Sequence, residues 1–232
     1  MELIVEGMKR GILLLLRGGR EVVEVVLLTL QVSGRATLLS LFFGVGIGAL
    51  VGLRQFPGRT FFLSIVNTAM GLPPVVVGLF VTLMLWRSGP LGALGLLYTP
   101  TAMILAQAII ATPIIAGISV AAFQSLSQEL RLQILSLGAR KRQLVWLLIK
   151  EARLQLLAAV MAGFGGVVSE VGASMMVGGN IRGCTRVLTT ATVMETAKGN
   201  FELAIALSVI LLLLAYAFTV ALTSLQQRGH KW

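Results

Sequence analysis

The chain has 232 residues, of which 56% are hydrophobic and only 12% charged, with a formal net charge of +10. A soluble domain of this size carries about a quarter charged residues, so the composition excludes one and predicts a polytopic membrane protein. Its apolar windows are rich in Gly, Ala and Leu and lack the alternation of barrel strands, which makes the expected fold class all-α.

The first 20 residues predict an amphipathic helix lying in the membrane interface. Lys9 and Arg10 interrupt its apolar run, so segment 3–16 is too polar to span; a tight sixth crossing is the alternative reading. No small-residue cleavage site follows the run, so no removable signal peptide is expected. Segment 21–33 is apolar but dotted with Glu21, Glu24, Thr29 and Gln31, and should extend the first span, at 34–54, into the outer interface. Gly44, Gly48 and Gly52 recur there every four residues, a spacing that lets helices approach closely, either as ordinary packing or as a seam that moves. The G-x-G at 44–46 follows no strand and is no nucleotide fingerprint.

The second span, at 60–86, holds Met70-Gly71-Leu72-Pro73-Pro74. Consecutive prolines remove two backbone donors and disfavour helical geometry at Leu72, so this helix must bend or break. Irregular backbone at membrane depth needs cover from protein or a water-filled cavity, so the break either lines a pathway or is a structural kink. Pro113 places a lone kink in the third span, at 100–123.

Residues 125–153 form the one long polar, basic stretch. Ser127, or Ser125 with Gln128, can cap a helix whose Leu130, Ile134 and Leu137 share a face. Gly138 then ends it through a left-handed turn, and a second helix starts near Ala139 and runs into the fourth span, at 154–176. Glu170, near the outer end of that span, is a functional candidate by its depth alone; a paired or helix-capping role outweighs direct contact with a solute. The following loop brings Asn180, Arg182, Arg186, Thr189 and Thr190, donors suited to an oxyanion or to an acidic protein rim, and a plain surface loop is the third reading. Cys184 carries no reactive motif, and with His230 the sole histidine there is neither a disulfide framework nor a metal site in prospect. A fifth span follows at 201–224.

With the basic loop placed in the cytoplasm, Arg54, Arg59, Arg131, Arg140, Lys141, Arg142, Lys150, Arg153, Arg228 and Lys231 fall inside and Arg87, Arg182, Arg186 and Lys198 outside. That distribution obeys the positive-inside rule and makes the C-terminus cytoplasmic. The charge therefore reads as topology rather than as a nucleic-acid surface.

The glycine-centred loop resembles the cytoplasmic motif of ATP-binding cassette (ABC) importer permeases. Gly138 matches the motif glycine, while Leu132, Gln133 and Ile134 depart from its E-A-A and Lys150-Glu151 from its L-P. Met70 to Gly78 (M-G-L-P-P-V-V-V-G), Ser88-Gly89-Pro90-Leu91-Gly92, Ser169-Glu170-Val171-Gly172 and Met176 to Gly183 (M-V-G-G-N-I-R-G) together look like the permease subunit of bacterial tungstate importers, close to the molybdate permeases. The resemblance covers about residues 22–225 in one order.

That resemblance implies a single transmembrane permease domain over 1–232, with about five transmembrane helices in a type I ABC importer fold, paired as a homodimer in the bacterial or archaeal cytoplasmic membrane. It implies two cytoplasmic ATPase subunits docked on Glu129, Leu130, Arg131, Ile134, Leu137, Gly138, Ala139 and Arg140. An extracytoplasmic tungstate-binding protein would meet Asn180, Arg182, Arg186, Thr189 and Thr190. The gate or path would draw on Met70, Pro73, Pro74, Ser169, Glu170, Met175 and Met176. No G-x-x-x-x-G-K-[ST] occurs in the chain, so ATP and Mg belong on the partner, and the chain itself is neither an enzyme nor a cofactor binder. Molybdate, sulfate or another small anion is the alternative cargo. A passive channel would not need the basic loop, and a membrane enzyme would need convergent acids and histidines at depth, whereas these spans hold no histidine and almost no acids.

Overall fold

The computed structural model describes residues 19–228, together with residues 6, 7, 9 and 13; the expected interfacial helix at 1–20 lies almost wholly outside them. Among the described residues there are ten α-helices, one 3₁₀ turn at Gly92–Leu94 and no strand.

Helix α1 (Arg20–Leu53) is the longest. Its 34 residues extend about 50 Å, so it outreaches a hydrocarbon core. The segment expected to extend the first span, at 21–33, is continuous with it, and the helix begins at 20; its buried threonines are satisfied by carbonyls of the same helix. Thr29 and Thr37 donate to the carbonyls of Val25 and Ser33, each at 2.7 Å. Helix α4 (Pro100–Gln124) is the central partner of α1, and among the described residues theirs is the largest helix–helix contact. The predicted glycine seam is that contact. A Cβ at Gly44 would lie 2.8 Å from Ile115 Cβ and one at Gly52 3.0 Å from Phe123 Cβ, while one at Gly48 would collide with Ser119. Tight packing between α1 and α4 explains all three glycines. Pro113 is absorbed within α4 without ending it.

The second predicted span is two helices, α2 (Arg59–Met70) and α3 (Pro74–Leu85), bent by 99° at the Gly71–Pro73 link. Pro74 takes the first turn of α3, where its missing N–H costs nothing. The basic stretch folds as α5 (Gln128–Ser136) and α6 (Lys141–Glu151). The fourth span is α7 (Arg153–Val168) followed by α8 (Gly172–Gly178), bent by 58°. Then α9 (Leu188–Ala197) leads to α10 (Phe201–Arg228). Among the described residues three helices are long and apolar enough to cross a membrane, or up to five if each bent pair is one span.

The core lies where α1, α3, α4 and α8 meet, around Val32, Val81, Met103 and Val177. A second cluster joins α1, α9 and α10 through Val25, Leu188 and Ile210. The third joins α4 to the α6–α7 turn through Phe123, Ala152 and Leu156. The bundle therefore has two distinct ends, one carrying α5 with the start of α6 and the other carrying α9.

Candidate functional site

The two breaks are held side by side. A Cβ on Gly78 of α3 would lie 2.6 Å from Ala173 Cα of α8, and one on Gly172 would lie 2.7 Å from Val75 Cγ2. Gly78 thus packs directly on the backbone of Ala173, and Gly172 against the Val75 side chain, as small residues permit.

At the α7–α8 break the chain leaves free amides that need acceptors. Glu170, 5% exposed, supplies them. Its Oε1 accepts from the Ala173 amide at 2.8 Å, and its Oε2 accepts from the Ser174 amide at 2.9 Å and the Ser174 hydroxyl at 3.0 Å. A carboxylate at a helix N-terminus also meets the positive end of the helix dipole. Gln107 of α4 donates to the Ser174 hydroxyl at 3.1 Å, which ties the cap to the central helix. The Gln107 Oε1 is buried without a partner among the described residues. Ser169 is exposed, with its hydroxyl returned to the Gly165 carbonyl at 2.8 Å.

Of the methionines, Met175 is 36% exposed and Met176 half-buried against Gly78, whereas Met70 is 39% exposed with its sulfur on Gly117 of α4. Pro73 and Pro74 are exposed. The structure places Met70, Pro73 and Pro74 at one break and Ser169, Glu170, Met175 and Met176 at the other, with α3 and α8 in contact between them.

The turn after α8 is built on left-handed backbone at Gly179 and Asn180, φ 68° and 52°. Thr185 staples it, accepting from the Ile181 amide at 3.0 Å and donating to the Gly178 carbonyl at 2.5 Å. Arg182 is exposed and paired with Glu21 of α1 at 2.6 Å. Arg186 is half-buried and donates to the Asn180 carbonyl at 3.4 Å. Thr189 and Thr190 require a correction, because they are interior and not loop donors. Thr189, 5% exposed, donates to the Glu170 carbonyl at 3.0 Å, and Thr190, 0% exposed, closes the first turn of α9 by bonding Val187. At the far end of α9, Glu195 accepts from Lys198 and Asn200, each at 2.8 Å. The hydrogen bond from Lys198, then that from Asn200, hold its carboxyl below the usual carboxylate range.

At the opposite end, Ser127 caps α5 by accepting from the Leu130 amide at 3.2 Å, and Gly138 follows the helix with φ 81°. The Arg140 amide donates to Gln143 Oε1 at 2.7 Å, which starts α6. The face expected to hold Leu130, Ile134 and Leu137 together is divided. Leu130, Arg131, Ile134 and Ala139 are half-buried, while Glu129, Gly138 and Arg140 are exposed and Leu137 is 87% exposed. Arg131 reaches back to the Leu53 carbonyl at 3.1 Å and Arg59 to the Val51 carbonyl at 2.8 Å, so two guanidinium groups cap the end of α1 and fix α5 against it. Trp146, 61% exposed with Lys150 5.5 Å above its ring, stands beside Leu137 across a small cleft.

Gln107 and Ser174 were not singled out by sequence; a lone glutamine within the apolar run of α4 was the available signal. Among the described residues no group of His, Cys, Asp and Glu could hold a metal, and Cys184 is free and exposed.

Comparison with known proteins adds four findings. The profile described as "Binding-protein-dependent transport system inner membrane component" matches residues 44–230. The chain is 37% identical over 227 residues to the tungstate uptake system permease protein TupB of Peptoclostridium acidaminophilum, covering 98% of this chain and 100% of that one. It is 44% identical over 197 residues to a probable anion ABC transporter permease protein of Haloferax volcanii, covering 83% and 85%. A crystal structure of an amino acid ABC transporter superposes with a TM-score of 0.66 at 19% identity, over 93% of this chain and 97% of that chain, a likeness of fold alone.

Proposed function

The chain belongs to the family of binding-protein-dependent transport system inner membrane components, and we propose that it is the membrane-spanning subunit of an ATP-driven importer whose cargo is tungstate. The observation that carries the cargo is the end-to-end match to a tungstate permease, 37% identical over 98% of the chain. Molybdate and sulfate are tetrahedral dianions of related chemistry and stand as the competing cargoes.

On this reading the α5 end faces the cytoplasm, together with the C-terminus, and the α9 end faces outward. The exposed side of α5, with Glu129, Leu137, Gly138 and Arg140, receives a separate ATPase that holds ATP and Mg. Leu130, Arg131, Ile134 and Ala139 stay with the bundle and pass the displacement on to α1. A loaded binding protein docks on Asn180, Arg182 and Arg186. Two copies of the chain enclose the path. Met70, Pro73, Pro74, Ser169, Met175 and Met176 narrow it where both helices break, with the methionines as soft, deformable closures. Glu170 faces inward to cap α8 and keeps its negative charge off the anion, in line with its three short hydrogen bonds.

The test is competition. In vesicles carrying the permease, its ATPase and its binding protein, tungstate uptake should persist in excess sulfate and fall in excess unlabelled tungstate. Uptake blocked by sulfate and indifferent to tungstate would reassign the cargo.

A further inference from the structure

We propose that a cleft between the end of α1 and the start of α6 holds the headgroup of an anionic phospholipid. The cleft, about 870 Å³, is lined by four cations from three elements: Arg54 after α1, Arg131 on α5, and Lys141 and Arg142 on α6. No acidic residue lines it. Among the described residues none of the four takes part in a salt bridge, and Arg131 is bonded to a backbone carbonyl, not to an acid.

The other wall is apolar. Gly46 and Leu50 of α1 and Val145 and Leu148 of α6 form it, and Leu50 is 51% exposed. Gly46 precedes Leu53 by two helical turns, about 10 Å along the axis, so the cleft runs from the membrane surface to the depth of the first acyl carbons. A cationic mouth over an apolar floor suits an amphiphile with an anionic head, and basic pockets between membrane helices recognise such headgroups. A small free oxyanion gains nothing from the apolar floor, and an acidic rim on a soluble partner would reach only the mouth.

The consequence concerns the loop. Arg131 already binds the Leu53 carbonyl, and a phosphate between Arg54, Arg131 and Arg142 would join α1, α5 and α6 through one group. Lipid charge would then set how firmly α5 is held. The proposal goes beyond the transport reading and needs only that this end of the bundle meets one leaflet; because its test reads lipid and not cargo, either can fail without the other.

Native mass spectrometry of the full chain, purified with its ATPase and exchanged into equal amounts of phosphatidylglycerol and phosphatidylcholine, decides it. Phosphatidylglycerol should be retained over phosphatidylcholine by about tenfold, and Arg54→Gln with Arg142→Gln should remove most of that preference. Arg153→Gln, a nearby cation outside the cleft, should leave it intact. Gly46→Leu is the safeguard against a folding failure, since a Cβ there meets nothing within 4 Å; it fills the floor with every charge in place and should also lower retention. Equal retention of both lipids, retention unchanged in the charge and Gly46 variants, or displacement of phosphatidylglycerol by millimolar tungstate would each overturn the proposal.

Discussion

Ser174 donates both its backbone amide and its hydroxyl to one oxygen of Glu170, at 2.9 and 3.0 Å. The pair closes the break between α7 and α8, and Gln107 extends it into α4. Buried carboxylates without partners are costly, so this one is held by the helix it caps.

Glu170→Ala should therefore destabilise the protein by roughly 2 kcal/mol or more, because two amides and a hydroxyl lose a charged acceptor at once. Glu170→Gln, which keeps one acceptor oxygen, should fall between. Thermal unfolding of the purified variants in detergent measures the order, and a melting temperature for Glu170→Ala equal to the parent's would contradict the capping role.

Gly48→Leu should cost about 1–3 kcal/mol through overpacking against Ser119. Gly34→Leu, where a Cβ meets nothing within 4 Å, should be close to neutral on the same helix. The same unfolding measurement checks both, and equal losses would mean that the seam is not what fixes α1 on α4.

The breaks and turns were legible because their causes are local. Pro73 and Pro74 remove donors wherever they stand, and Ser127 and Gly138 lie within a turn of the helix that they delimit. Gln107 and Ser174 were not legible, since 67 residues separate them and nothing in either neighbourhood names the other. Thr189 and Thr190 were misplaced for a related reason. Their polarity suggested a surface, but a threonine hydroxyl can be satisfied inside by a carbonyl of its own helix or of a distant break, and here both are. The start of α1 was legible, since segment 21–33 reads as an extension of the first span; Glu21 pairs with Arg182 and Glu24 with Arg20 at its exposed end, and the helix continues through them.

The carboxyl of Glu195 is held below its usual range by Lys198 and Asn200, so its stabilising contribution is complete above the ordinary carboxylate value and is lost as pH falls through the lowered one. Glu195→Gln should melt lower than the parent at neutral pH, and the gap should close in strong acid. A gap that is constant across pH would show that the charge is not what matters.

Met175→Ala or Met176→Ala should raise ATPase turnover or leak in the absence of binding protein, while Arg182→Ala should chiefly weaken stimulation by it. Reconstituted vesicles separate these effects. Unchanged basal turnover and leak in both methionine variants, with normal stimulation of the arginine variant, would reduce this region to scaffold.

On the proposed reading, transport through this chain is driven by an ATPase seated on the α5–α6 loop. Gly138 adopts φ 81°, where a side chain costs about 1–2 kcal/mol of backbone strain, and a bulky one would also obstruct the exposed turn. Tungstate uptake should be measured in vesicles containing the permease, its ATPase and the loaded binding protein, with ATP or ADP inside. Uptake should occur with ATP and not with ADP, and should be lost in Gly138→Trp although that variant still inserts in the membrane. Equal uptake with ADP, or wild-type uptake and ATPase retention in Gly138→Trp, would contradict it.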